Sequence, residues 1–347
     1  MTQHIEYHTF KTDEIPCQEI SDQAVLSKNP LVSVKMITYN HEPYIAQAIE
    51  GVLMQETDFP IELIIGEDCS TDRTRGIVLD YQKKYPDIIR VITSQKNVRM
   101  QKNGLRTQKA CRGKYIAYCE GDDYWHYPLK LQKQVNFLES NKKYSVCFHY
   151  VDVIDNKGKL IRKHDTLTKN IYEQKDIFVS NKRETRTCSM VCRKDCLPDP
   201  MPDFLMKVSA GDKFYKMLLL EDGYKGYVIK ESMAFYRKHE GGVWSLQSPE
   251  KIQAMTYHDL QIMIDVFGDK FPKFVPYLKT KQKFGSMLNN LKDSNIRNAW
   301  KVYLSIFRYP QIVINNKIKI CLSFCVLVAK SMMILFLLPS KRSSMKQ

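Results

Sequence analysis

The chain has 347 residues, a formal net charge of +15, 44% apolar residues, 14 Gly and 14 Pro. The apolar fraction excludes a disordered chain, and the Gly and Pro counts exclude a fibrous repeat; one large globular domain with an appendage, or two domains, remain. From Leu246 onward 16 Lys and Arg stand against 5 Asp and Glu, a net of +11, so the preceding 245 residues carry only +4. The basic excess belongs to a tail, and nucleic acid is not an expected partner of the body.

Residues 1–30 read as a polar N-terminal extension with no apolar run suited to a secretory signal. The 10 cysteines are scattered, which fits a reduced, cytosolic setting. Cys188, Cys192 and Cys196 recur at four-residue intervals, outside the usual zinc spacings, and are expected to be inert thiols.

From residue 31 the pattern alternates between strand and helix. Leu31 to Ile37 predicts a strand, and after Glu42-Pro43 a helix places Ile45, Ala48, Ile49, Val52 and Leu53 on one face. Ile61 to Ile65 predicts a second strand. Ser70-Thr71-Asp72 then caps a helix burying Ile77, Val78, Tyr81 and Tyr85, which Pro86 stops. Ile88 to Thr93 is a third strand, a polar helix covers about Asn103 to Cys111, and Lys114 to Cys119 is a fourth strand. Beyond it come a helix over Pro128 to Leu138 and a hairpin of Tyr144 to Ile154 with Gly158 to Ile161, turning at Asp155-Asn156-Lys157-Gly158. Gly211-Asp212 opens a helix carrying Phe214, Met217 and Leu218, and a short strand pair is expected around Tyr227 to Tyr236. The fold class is α/β, a mostly parallel, Rossmann-like sheet flanked by helices.

Ligands of such sheets bind beyond the carboxyl ends of the strands. Those ends read Thr38-Tyr39-Asn40, Glu67-Asp68, Asn97 and Glu120-Gly121-Asp122-Asp123. Glu120, Asp122 and Asp123 are hard oxygen ligands suited to Mg²⁺ or Mn²⁺ shared with phosphate oxygens. No GxxxxGK[ST] or GxGxxG follows the first strand, so P-loop hydrolases and dinucleotide dehydrogenases lose support.

Val32-Ser33-Val34 leading to Thr38-Tyr39-Asn40, Ile64-Ile65-Gly66-Glu67-Asp68-Cys69-Ser70-Thr71-Asp72, Gly113-Lys114-Tyr115-Ile116 and Glu120-Gly121-Asp122-Asp123-Tyr124-Trp125 resemble the successive motifs of family 2 glycosyltransferases with the GT-A fold. Gly211-Asp212 and Tyr236-Arg237-Lys238-His239-Glu240-Gly241-Gly242-Val243-Trp244 resemble later motifs of a bacterial branch of that family. The resemblance covers about residues 31–245. It implies inverting transfer of a sugar from a nucleotide diphosphate donor to an acceptor hydroxyl. Thr38, Tyr39 and Asp68, with Asn40 beside them, match positions that hold the base and ribose, and Asn97 lies in the donor-pocket loop. Asp122 matches the main metal-binding carboxylate of the DxD motif, with Glu120 in its first position, able to reach metal or sugar. Asp212 matches the catalytic base, or is simply a helix N-cap. His239 matches a residue near diphosphate and metal. Asp123 is a second ligand or a sugar contact, and Trp244 and Trp125 are core or acceptor-facing aromatics. Arg99 stands where many relatives carry Gly. A sugar-phosphate nucleotidyltransferase and a non-catalytic, membrane-binding basic protein are the alternatives.

After Trp244 the reading is physical again. Residues 246–316 are expected to be helical and basic, with Ile296, Trp300, Tyr303, Leu304 and Phe307 on one face edged by Arg297, Lys301 and Arg308. Within residues 317–347, Ile320 to Leu338 is an apolar run interrupted by Lys330, marginal as a span and suited to a shallow anchor with basic flanks. A cytoplasmic protein held at the inner face of the cell membrane, acting on a saccharide or lipid-linked acceptor, is expected.

Overall fold

A computed structural model describes residues 7–164, 169–179, 185–242, 247–279 and 282. Trp244 and the two tail segments, 296–308 and 320–338, lie outside the described residues. Two compact units part between Gln247 and Ser248.

In the first unit the expected alternation is realised as β2 (Val32–Thr38), α1 (Ile45–Leu53), β3 (Ile61–Glu67), α2 (Thr74–Lys84), β4 (Ile89–Thr93), α3 (Met100–Lys109) and β5 (Tyr115–Tyr118). There follow β6 (Tyr124–Trp125), α4 (Lys130–Ser140), β7 (Tyr144–Ile154), β8 (Leu160–Arg162), β9 (Ile171–Tyr172), α5 (Gln174–Val179), β10 (Val191–Arg193), α6 (Gly211–Leu219) and β11 (Lys225–Arg237). Ahead of all these, β1 (Gln18–Ile20) pairs antiparallel with β4, so the N-terminal extension supplies an edge strand. The sheet runs β1-β4-β3-β2-β5-β10-β7-β11-β6.

β4, β3, β2 and β5 are parallel neighbours. Their apolar runs are buried throughout, as strands covered on both faces require. α1 buries Ile45, Ala48, Ile49 and Val52. In α2 only Val78 of the expected apolar set is fully buried, while Ile77, Tyr81 and Tyr85 pack half-buried against the core. Past β5 the sheet becomes mixed: β10 is antiparallel to both β5 and β7. The strand pair expected around Tyr227 to Tyr236 is instead one 13-residue strand, β11, running parallel to β7 with irregularities near Ser232. Its neighbour is set by long-range pairing, which local pattern does not report.

α3 is polar in sequence, yet Asn103, Arg106, Thr107 and Gln108 are buried. Gly66 of β3 makes this possible, since a Cβ there would lie 2.0 Å from Thr107 Oγ1. The helix therefore packs close to the sheet, and its polar side chains tie strand ends together. In the second unit α7 (Pro249–Phe267) starts at Ser248, whose Oγ accepts from Lys251 N–H (3.3 Å), with Pro249 in the first turn. Among the described residues no helix is long and apolar enough to cross a membrane.

Candidate active site

Four loops meet beyond the carboxyl ends of β2, β3, β4 and β5. Asp68 N–H donates to Thr38 O (3.1 Å), joining the first two. Asn40, at φ 55°, accepts from Thr71 N–H through its Oδ1 (2.8 Å), and its own N–H donates to Ser70 Oγ (3.1 Å). Asn40 thus laces two loops together, while Tyr39 beside it is 43% exposed with its ring open to a ligand.

Asp68 is buried. One of its oxygens, Oδ1, accepts from Val98 N–H (2.8 Å) and faces the Arg106 guanidinium (3.4 Å). Burial raises its carboxyl above the ordinary range against these two partners. Arg106 also donates to Ser94 Oγ, Glu67 O and Pro16 O, so one buried cation gathers the ends of β3 and β4. Asn97 folds its Oδ1 back onto Arg99 N–H (2.9 Å), which shapes the loop. Arg99 has φ 72°, a left-handed conformation that favours glycine. Arg99 is therefore a residue held in a glycine-type geometry.

The acidic loop after β5 is drawn against β2. A Cβ on Gly121 would meet Thr38 Oγ1 at 2.7 Å and His41 Nδ1 at 3.0 Å, so glycine permits this approach. The result is a cluster of His41, Asp122 and His239, whose ligand atoms all lie within 4.8 Å of one another. His239 Nε2 is 3.0 Å from Asp122 Oδ2, and Thr38 Oγ1 is 3.2 Å from His41 Nδ1. Burial would raise the Asp122 carboxyl, but the His239 hydrogen bond and the His41 charge outweigh it and hold it low. Burial lowers the His41 imidazole, favouring the neutral form that a metal needs.

Glu120, two residues before Asp122, feels the Asp122 charge. Its Oε2 is buried with no hydrogen-bond partner, and burial together with the Asp122 charge pushes its carboxyl up to about 8, against the pull of Lys35. The cluster of one carboxylate and two imidazoles fits a divalent metal, and Glu120, expected as a ligand, lies outside that cluster with an orphaned buried oxygen near the Asp122 charge. Asp123 has a different position. It is 3% exposed, its Oδ1 accepts from Arg237 N–H (2.9 Å), and burial raises its carboxyl well above normal. Its side chain is committed to joining the acidic loop to β11. Trp125 is core, 1% exposed, with its indole N–H on Cys188 O (2.8 Å).

Asp212 opens α6. Tyr215, one turn on, packs edge-on against Tyr118 of β5, and the Asp212 charge is felt at Glu120. Asp212 Oδ2 pairs with Lys216 Nζ at 2.7 Å, and Lys216 also donates to Thr185 O. Burial would raise the Asp212 carboxyl, but Lys216 holds it below its usual value. It is an ionised carboxylate at neutral pH, still 34% exposed.

His41 and Arg237 are absent from the expected site residues. His41 follows Thr38 by three positions at a strand end, a signal within reach of sequence reading. Arg237 lies in the motif that carries His239, but its partners are remote: its Nε donates to Asp122 O (3.1 Å), Nη1 to Asp155 O (3.4 Å) and Nη2 to Gln47 Oε1 (2.6 Å), and the cation lies over the Tyr44 ring.

Residues 33–196 match the model of glycosyl transferase family 2. Over these residues, just under half of the chain, the sequence is similar to family 2 glycosyltransferases. A protein of Mycobacterium tuberculosis, uncharacterized by name, is 36% identical over 213 residues, covering 61% of this chain and 60% of that protein. The match thus spans less than two thirds of that relative. A Bacillus subtilis protein provisionally named the teichuronic acid biosynthesis glycosyltransferase TuaG is 29% identical over 211 residues, covering 60% of this chain and 79% of that one. Among solved structures, S. aureus TarS in complex with UDP-GlcNAc aligns with TM-score 0.54 at 16% identity, covering 86% of this chain and 88% of that chain. This likeness shows the fold, which is that of GT-A glycosyltransferases, with the Asp122 loop at the end of β5.

Proposed function

We propose that the protein is an inverting, metal-assisted glycosyltransferase that moves a sugar from a nucleotide diphosphate donor to a hydroxyl of a saccharide or lipid-linked acceptor in cell-surface polysaccharide synthesis. The observation that carries this is the convergence of His41, Asp122 and His239 at the strand ends of a chain similar to family 2 glycosyltransferases, with the Asp212 charge felt at Glu120. A uridine nucleotide is the first donor to try, because TarS binds UDP-GlcNAc on the same fold. Tyr39 offers a face for the base, and the Asp68 carboxylate is the acceptor for the base or ribose.

Asp122, His41 and His239 would hold the metal, with Glu120 as a further ligand or a contact to the donor sugar. A set that includes imidazole favours Mn²⁺ over Mg²⁺. When bound, the metal supplies Lewis-acid neutralisation of the departing diphosphate. Asp212 accepts the proton of the acceptor hydroxyl as its oxygen attacks the anomeric carbon from the face opposite the diphosphate, which inverts that centre. The low proton affinity imposed by Lys216 keeps this carboxylate ionised between turnovers. The Thr38, Asp68 and Asn97 loops bind and orient the donor. The basic tail tethers the body to the inner face of the cell membrane, where a lipid-linked acceptor is found.

The test is nucleoside diphosphate release from a set of nucleotide sugars with Mn²⁺ and a saccharide or polyprenyl-phosphate-linked acceptor. Acceptor-dependent release by the wild type, lost in Asp212→Asn, is expected; release unaffected by that substitution would remove Asp212 from its role.

A further inference from the structure

The hairpin of β7 and β8 has surface features that the donor and metal sites do not use. Asn156 to Lys163 are eight consecutive exposed residues carrying Lys157, Lys159, Arg162 and Lys163 and no acidic residue. Asp155, the residue before this run, has its Oδ1 engaged by Lys157 N–H (2.9 Å) and Lys159 N–H (2.8 Å), and Gly158 at φ 83° completes the turn. Between the cations, Leu160 is 45% exposed and Ile161 51% exposed.

Charged residues on an edge strand are a common guard against unwanted strand pairing. That accounts for the cations and leaves the two aliphatic side chains unexplained. Adjacent strand residues point to opposite faces, so Leu160 and Ile161 project on both sides of the hairpin. A flat protein surface would cover one and leave the other wet. A lipid interface receives a tip from all sides and also matches the cations with anionic headgroups.

The root of the hairpin adjoins the active site. Lys238 N–H donates to Ile154 O (2.9 Å) and Arg237 Nη1 to Asp155 O (3.4 Å), two residues before His239 in the chain. We propose that the β7–β8 hairpin is a membrane-docking finger whose tip enters the interface of an anionic bilayer. It presents the His239 side of the site to that surface. The proposal rests on the reading above only in taking a lipid surface as the place where the acceptor is met.

The experiment uses the full chain with phosphatidylcholine vesicles, with and without phosphatidylglycerol. In Leu160→Trp the new indole emission, after subtraction of the wild-type signal, shifts to the blue only with phosphatidylglycerol. Val25→Trp, at a position 49% exposed elsewhere in the first unit, does not shift. Lys157→Gln/Lys159→Gln weakens sedimentation with the anionic vesicles by about tenfold or more, at unchanged melting temperature. Wild type that sediments with vesicles while the indole of Leu160→Trp stays unshifted overturns the finger and leaves the tail as the tether. Wild type that ignores all vesicles overturns both, and donor binding is then still measurable separately. A blue shift in Leu160→Trp that follows protein concentration without lipid overturns the proposal in favour of a self-interface.

Discussion

Thr38, Asp68 and Glu120 lie at the ends of three neighbouring parallel strands, β2, β3 and β5, whereas Asp212 and His239 arrive from α6 and the far end of β11. The first group is positioned by local alternation: the ends of β3 and β5 flank that of β2, and buried Arg106 ties the end of β3 to that of β4. The second is positioned by a long return, in which β11 lies parallel to β7 and Arg237 fastens it to the acidic loop. On the proposed reading, nucleotide recognition belongs to the early segment, and metal and proton handling to the meeting of early and late ones.

Substitutions can separate the two. The largest effect is expected for Asp212→Asn, which should lower turnover by about 10²- to 10⁴-fold while leaving Mn²⁺-dependent nucleotide binding intact by calorimetry. Asp122→Asn should abolish both turnover and the metal dependence of binding. Arg237→Met should weaken Mn²⁺ affinity by about 10- to 100-fold, as loss of a supporting partner typically does, with a far smaller effect on unfolding temperature. If Arg237→Met instead reduces nucleotide affinity without Mn²⁺, the division between segments is wrong.

Smaller effects sharpen the electrostatics. The Glu120 carboxyl, ordinarily near 4.5, is raised to about 8 chiefly by burial. Its protonation therefore contributes stability that is fully present below about pH 4.5 and is lost as pH rises through about 8. Glu120→Gln mimics the protonated group, so the metal-free variant should gain on the wild type as pH rises over this range, by about 3 kcal/mol at pH 7 in urea unfolding. Arg99→Gly should relieve the strain at φ 72° and stabilise the fold by about 1 kcal/mol, net of glycine's entropy in the unfolded chain. A destabilised Arg99→Gly variant would mean that the arginine side chain contributes more than its backbone costs.

What the sequence disclosed follows the same division. The parallel strands, the helices between them and the acidic loop were legible because hydrophobic period and turn residues are local signals. Asp122 and His239 came through motif resemblance, and the structure brings them within hydrogen-bonding distance. Hidden from sequence were the burial of polar α3, which depends on Gly66, and the role of Arg237, whose partners at Asp122, Asp155 and Gln47 are remote in the chain. The single strand β11 was hidden for the same reason, since its register is fixed by β7. Asp123 looks identical to Asp122 in sequence; only its bond to the Arg237 backbone sets it apart as a buried tie.

The central claim is that early and late segments form one nucleotide and metal site. The most direct measurement is thermal stabilisation by UDP, with and without Mn²⁺, in the wild type and in His239→Ala. Stabilisation of the wild type should require Mn²⁺ and should be lost in His239→Ala, although that variant melts normally without ligand. Equal, Mn²⁺-dependent stabilisation of both proteins would contradict the claim.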